Sequence, residues 1–226
     1  MDVLSVEFGV ALAVVVLVVG HFVATFRRER LIGRLDLRLR GPVVPVNVLE
    51  AVRGAEVRWY SGLPLWRRLV KDGQDVIASV VPRAAFWMNS SIGPYRIKAQ
   101  TIHGLIAFAV DRRYLRVGTD PHARFNKLLP FFALQPTLND WQAALLLQSL
   151  KERHPQLRSS SWDQVAEDPD AVAKLYSGYM GAGGRWEQWC ASMVPGPVAR
   201  ERLGYEPESG TYAYVPGPEN GIPPVR

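Results

Sequence analysis

The stretch FGVALAVVVLVVGHFVATF, residues 8–26, decides the architecture that the sequence predicts. None of its 19 residues carries a formal charge when His21 is neutral, and valine, alanine and leucine dominate it. As a helix it would be roughly 28 Å long, close to the hydrocarbon thickness of a bilayer. Because a helix satisfies its own backbone hydrogen bonds in lipid, the stretch predicts a single transmembrane helix that contacts the lipid bilayer.

Two alternatives to this anchor are less consistent with the sequence. A cleavable signal peptide would carry basic residues before the apolar run and small residues after it. Here Asp2 and Glu7 precede the run, and Thr25-Phe26-Arg27-Arg28 follows it. A buried core helix is the second alternative, but 19 uncharged residues on all faces exceed what a domain of this size usually buries. His21, near the basic end, is interpreted as an interfacial residue rather than a proton relay.

The segment RRERLIGRLDLRLR, residues 27–40, holds six arginines and two acids and so contributes +4 of the net charge of +6. The remainder is only mildly basic, which argues against nucleic acid as a partner. Arginines beside an apolar span are typical of a juxtamembrane segment that attracts anionic headgroups. Since basic residues favour the cytoplasmic side, the charge bias predicts a single-pass inner (plasma) membrane protein with a cytoplasmic domain.

Composition shifts divide the chain into four parts. Residues 1–35 form the predicted anchor and basic segment, and Gly41, Pro42 and Pro45 mark a linker over 36–46. A soluble domain is predicted over 47–204, and the Pro/Gly-rich tail covers 205–226. A content of 48% hydrophobic and 21% charged residues fits a folded domain plus one anchor.

The soluble domain is predicted to be mainly α, because apolar residues recur at helical spacing and no strand run is convincing. Residues 116–138 are rich in proline and glycine and predict a loop. Helices are predicted over residues 48–60, 63–81, 97–110, 141–153, 170–179, 186–193 and 197–203.

The sequence contains no arrangement of residues that is typical of a metal site, a cofactor site or a catalytic site. Cys190 is the single cysteine, which excludes an intrachain disulfide and a cysteine-rich zinc site. The four histidines show no HExxH or other metal-ligand spacing. No Ser-His-Asp order, nucleophile elbow or pair of catalytic carboxylates can be assembled, so no cofactor and no catalytic residue is predicted.

Two short stretches are the best candidates for a binding site. They are SSIGPYRIKAQT, residues 90–101, and LYSGYMGAGG, residues 175–184. Each places glycine beside aromatic or hydroxyl residues where a helix meets a loop, which lets a ligand approach the backbone. Their alternative reading is an ordinary turn and an ordinary helix stop. The candidate ligand-binding residues are Ser91, Gly93, Tyr95, Arg96, Tyr176 and Gly178.

Together the two stretches resemble motifs of the lysozyme-like fold of bacterial lytic transglycosylases, over roughly residues 48–195. That family has a Ser-x-Gly-x-x-Gln-Ile-like turn before a helix and a later Tyr-Asn-x-Gly-like segment. Here Arg96 stands in place of the glutamine and Ser177 in place of the asparagine. The family's catalytic glutamate lies at a helix end before the turn, but residues 77–82 contain no carboxylate. The resemblance therefore implies an inactive relative that keeps the scaffold and part of a glycan groove.

Two functional hypotheses follow. In the first, the chain is a membrane-anchored, non-catalytic binding or assembly module that contacts a protein partner in a membrane assembly. The apolar residues Phe86-Trp87-Met88 could then be the lip where this partner docks. In the second, the chain is a cell-envelope enzyme acting on peptidoglycan, or a glycan-binding protein. The second hypothesis requires the domain to lie outside the membrane, against the charge bias.

Overall fold

The computed structural model of the protein describes residues 41–116, 136–181 and 197–207. It also describes isolated positions: 12, 15, 16, 18–20, 22, 23, 38, 39, 126, 128, 129, 213 and 214. The described part is mainly helical, which confirms the predicted fold class at that level. Among these residues, no helix is long and apolar enough to cross a membrane.

The described part consists of α-helices and of strands that are each two residues long. The helices are α1 (Val46–Ser61), α2 (Leu65–Val80), α3 (Pro82–Met88), α4 (Ala99–Asp111), α5 (Pro136–Arg153), α6 (Trp162–Glu167), α7 (Pro169–Gly181) and α8 (Pro197–Leu203). The strands are β1 (Arg38–Leu39), β2 (Val44–Pro45), β3 (Ser91–Ile92), β4 (Ile97–Lys98), β5 (Leu115–Arg116) and β6 (Ala213–Tyr214). They form three antiparallel pairs, β1 with β5, β2 with β6, and β3 with β4.

Helix α5 is the centre of the core and packs against α1, α4 and α7. Its side chains are buried on several sides, and Trp141, Leu145, Leu147 and Leu150 are at most 1% exposed. The helix begins at Pro136, five residues before the predicted start, because a proline fits the first turn of a helix. Asp140, in the first part of this helix, accepts a hydrogen bond from the Tyr95 hydroxyl at 2.8 Å.

The segments predicted as linker and tail carry short strands. β1 and β2 fall within residues 36–46, and β6 falls within 205–226. Val44 of β2 is fully buried and pairs with Tyr214. β2 also contacts α1, α5 and α6, so the β2–β6 pair lies against these helices.

Helix α2 is oriented with its polar side toward the protein. Its buried residues are Ala78 and Ser79, which share one side of the helix with Lys71 and Asp75. Its large apolar side chains are exposed on the other side. Pro82 ends α2, as predicted, but it also begins α3 at the first helical position, so α3 was missed.

Only part of the predicted transmembrane helix is described. Positions 12, 15, 16, 18–20, 22 and 23 are helical. The other residues of 8–26 and the predicted helix over 186–193, which contains Cys190, lie outside the described residues. The anchor and its contact with the bilayer therefore stay predictions.

The β3–β4 hairpin packs against α5 through a glycine. Gly93 has a φ of +69°, and a methyl group built on it would lie 2.5 Å from Asn139 Oδ1. Asn139 is itself buried, at 2% exposure, so its side chain has little room to move away. A glycine is thus required at position 93, because the backbone has a positive φ and because Asn139 leaves no room for a side chain.

Replacing Gly93 by alanine should therefore lower the free energy of unfolding by about 2–4 kcal/mol, through backbone strain and the clash with Asn139. The matched control is Gly73→Ala in α2, where a methyl group would meet nothing within 4 Å. That change should raise stability by about 0.5–1 kcal/mol, as alanine favours a helix. Denaturant unfolding of both variants in detergent micelles measures the two effects, and equal stabilities would contradict the packing described.

Candidate functional site

A cavity of about 220 Å³ opens between α1, α2, the β3–β4 hairpin, α7 and α8. Basic and aromatic side chains account for half of its lining. The lining residues are Glu56, Trp59, Lys71, Ser91, Arg96, Ile97, Lys98, Thr101, Leu146, Tyr179, Met180 and Arg202.

The structure brings the two candidate stretches of the sequence together at this cavity. The Tyr179 hydroxyl donates a hydrogen bond to the Tyr95 carbonyl, which ties α7 to the hairpin. Ser91 and Arg96 line the cavity directly, whereas Tyr95 is buried behind its wall. The hairpin thus contributes both lining residues and a backbone contact.

The other candidate residues, Tyr176, Gly93 and Gly178, lie near the cavity but do not line it. Tyr176 is fully buried, and its ring stacks on Tyr179 with centroids 6.0 Å apart. Gly93 fixes the hairpin on α5, as described above. Gly178 is buried within α7 and is not among the lining residues.

Four basic side chains face one acidic side chain in the cavity wall. The basic residues are Lys71, Arg96, Lys98 and Arg202, and the acid is Glu56. Asp75 and Asp72, outside the lining, pair with Arg96 and offset part of this positive charge. The remaining excess favours an anionic ligand, because charges in a partly enclosed cavity are screened less than surface charges.

Arg96 is held in place from three sides. Its guanidinium lies 3.1 Å from Asp75 and 3.7 Å from Asp72, and it lies 4.3 Å from the centroid of the Tyr60 ring. The residue has a φ of +50°, so the hairpin turn directs this side chain at some backbone cost. Arg96 is therefore a positioned cation rather than a freely moving one.

Trp59 is surrounded by cations. The Lys71 ammonium and the Arg202 guanidinium each lie 5.0 Å from the centroid of its ring. Lys71 also donates a hydrogen bond to Ser91 Oγ at 3.3 Å. Burial and the nearby Arg96 charge both lower the pKa of Lys71. An incoming anion would relieve this crowding of positive charge.

Glu56 is a buried carboxyl group in the cavity wall, at 5% exposure. Its Oε1 accepts hydrogen bonds from the Tyr176 hydroxyl at 2.7 Å and from Arg202 at 3.0 Å. Burial raises the pKa of Glu56, and these two partners oppose the rise. Both hydrogen bonds end on the same oxygen, so Oε2 is the atom with which a protonated Glu56 would donate.

Sequence reasoning missed Glu56, Trp59, Lys71 and Arg202. A signal for Glu56 was present: it follows Val48 and Val52 at four-residue spacing, on the face of α1 that is buried. An acid on an apolar face is expensive unless it is paired, and such a residue is a candidate for a site. For Arg202, 146 residues from Glu56, no comparable local signal exists.

The described residues include no group of three or more His, Cys, Asp or Glu side chains that could hold a metal ion. Comparison with known proteins found no matching protein-family model, no matching curated protein and no matching solved structure.

Asp75 of α2 forms an ion pair with Arg96, which lines the cavity. Burial raises its pKa from 3.8 to about 6, and Arg96 and the Gly93 amide oppose the rise. The folded protein therefore keeps a proton on Asp75 in a pH range where the unfolded chain has lost it.

For this reason, raising the pH from about 4 to about 6 should remove about 2–3 kcal/mol of unfolding free energy through Asp75. In Asp75→Asn this contribution is absent, so the difference in stability between variant and parent should change over that window. Urea unfolding followed by circular dichroism in detergent micelles, at several pH values, measures the difference. A difference that is constant between pH 4 and 7 would show that Asp75 titrates normally.

Proposed function

We propose that this chain is a membrane-anchored, non-catalytic binding module whose cavity holds an anionic carbohydrate of the cell envelope. The observation that carries the proposal is the cavity wall, which Lys71, Arg96, Lys98 and Arg202 line together with Trp59 and Tyr179. Cations bind carboxylate or phosphate groups, and aromatic rings pack against the apolar faces of sugars.

The resemblance to lytic transglycosylases supports the same class of ligand. The two stretches that carry it supply Ser91, Arg96 and Tyr179 to the lining of the cavity. Arg96, which stands where the family has glutamine, adds a positive charge at that position. A sugar chain that carries acidic groups is therefore favoured over a neutral one.

Binding can be tested with soluble disaccharide–peptide fragments of peptidoglycan, which carry free carboxylates, and the full chain in lipid nanodiscs. Lys71→Gln should weaken binding about tenfold or more, because a charge-assisted hydrogen bond is lost. The matched control is Lys174→Gln, on α7 but outside the cavity lining, and it should leave affinity unchanged.

Two further measurements can contradict this proposal. A neutral N-acetylglucosamine tetramer should bind more weakly than the carboxylated fragment, and added salt should reduce the difference. A reporter fused to the C-terminus should locate the domain outside the membrane, since envelope glycans lie there. A cytoplasmic reporter signal would remove these glycans as ligands.

Glu56 supports a second candidate function, cleavage of a glycosidic bond. A buried carboxyl group with a raised pKa can act as a general acid. Glu56 would give its proton to the leaving oxygen as the bond to the anomeric carbon breaks. It would then take a proton back from the hydroxyl group, of water or of the sugar itself, that attacks this carbon. The acid thus comes from α1 and not from the helix end at 77–82.

Turbidity loss of purified cell-wall sacculi distinguishes the two candidates. The binding module should cause no lysis above a blank. If lysis is observed, Glu56→Gln should reduce it at least 100-fold, as expected for loss of a general acid, and Glu167→Gln, on the exposed end of α6, should not. Lysis that Glu56→Gln leaves unchanged would exclude Glu56 as the acid.

A further inference from the structure

Helices α2 and α3 expose a continuous set of large apolar side chains, which we call the α2–α3 apolar surface. Trp87 of α3 is 81% exposed, the largest value in the set. The residues of this surface are Leu65, Trp66, Leu69, Val70, Ile77, Val81, Trp87 and Met88. Exposed apolar groups of this extent mark interaction sites rather than ordinary protein surface.

The opposite side of α2 is already occupied by the protein. Lys71 contacts Ser91 and Trp59, and Asp75 pairs with Arg96, so the polar side of the helix forms part of the cavity wall. Rotating α2 to bury its apolar side would break these contacts. The apolar side of α2 therefore stays on the outside of the described domain.

The composition of the surface and its edges fits a lipid bilayer. Trp66 lies near the start of α2 and Trp87 near the end of α3, and tryptophan is enriched where membranes meet water. The exposed cations Arg67 and Arg83 flank them, and the Arg67 guanidinium lies 5.1 Å from the centroid of the Trp66 ring. Such cations reach lipid phosphates while their stems cover apolar surface.

One described position of the predicted transmembrane span, Gly20, lies against α2. A methyl group built on Gly20 would lie 3.1 Å from Val76 Cγ1 and 3.9 Å from Val80 Cγ2, both on α2. Phe22, one helical position in that stretch, is 75% exposed. If residues 8–26 enter the bilayer, α2 lies beside the point of entry, where lipid is the nearest apolar medium.

We infer that the α2–α3 apolar surface inserts into the boundary between headgroups and acyl chains, with α2 parallel to the membrane plane. This is the usual position of an amphipathic helix with aromatic residues on its apolar face and cations at its edge. One side of α2 then contacts lipid while its other side lines the cavity. The cavity lies within about one helix diameter, roughly 10 Å, of the bilayer. This inference does not depend on which ligand the cavity holds.

Site-directed fluorescence on the full chain tests the inference. Cys190 is replaced by serine, Leu69→Cys is labelled with an environment-sensitive fluorophore, and the protein is reconstituted in phosphatidylcholine–phosphatidylglycerol liposomes. Lipids brominated on the acyl chain should reduce the emission at position 69 at least twofold, and aqueous iodide should have little effect. The control is Glu167→Cys on the exposed end of α6, where iodide should quench and brominated lipid should not.

Each other result overturns the inference. Quenching of position 69 by iodide alone would place the surface in water. Protection from both quenchers would show that a protein surface covers it, either residues 8–26 or a second copy of the chain. Labelled Trp87→Cys, at the most exposed position of the surface, should likewise be quenched by brominated lipid and little by iodide. It replaces Leu69→Cys in the experiment if that variant does not fold.

Discussion

The hydrogen-bonded group around Glu56 is the constraint on which the cavity depends. Its carboxylate accepts hydrogen bonds from the Tyr176 hydroxyl and the Arg202 guanidinium. These partners are 120 and 146 residues away in the sequence. One buried acid therefore joins α1, α7 and α8. A buried charge is tolerated only when its partners are in place, so these helices must assemble together. The same requirement brings Trp59, one turn after Glu56, beside Arg202 and makes the cavity wall both aromatic and basic.

The two sides of helix α2 differ in their surroundings: the polar side contacts the protein, and the apolar side is exposed. Ion pairs and a cation–π contact fix its polar side against Arg96 and Trp59. The apolar side is left outward, although a helix of a soluble domain normally turns that side to the core. Polar contacts thus hold this helix in place together with the buried residues Ala78 and Ser79.

The helical elements followed from the sequence wherever apolar residues repeat at helical spacing, as in α1, α4, α5 and α7. Helix α6 was missed although its capping box, Ser161 with Gln164, is visible in the sequence. The two glycine-containing stretches indicated where the cavity lies, because turns and helix ends supply accessible backbone. Periodicity also showed that α2 is amphipathic. It could not show which side faces inward, since that depends on Arg96 and Asp75 meeting through the fold.

The outward apolar side of α2 has a practical consequence for anyone who shortens the chain. Deleting the N-terminal segment would remove the predicted anchor but leave Leu65, Trp66, Leu69 and Trp87 in water. Exposed groups of this kind associate with one another, and the trimmed domain is expected to form aggregates or bind detergent. Polar replacements at these exposed positions, which do not line the cavity, are therefore the natural route to a monodisperse fragment.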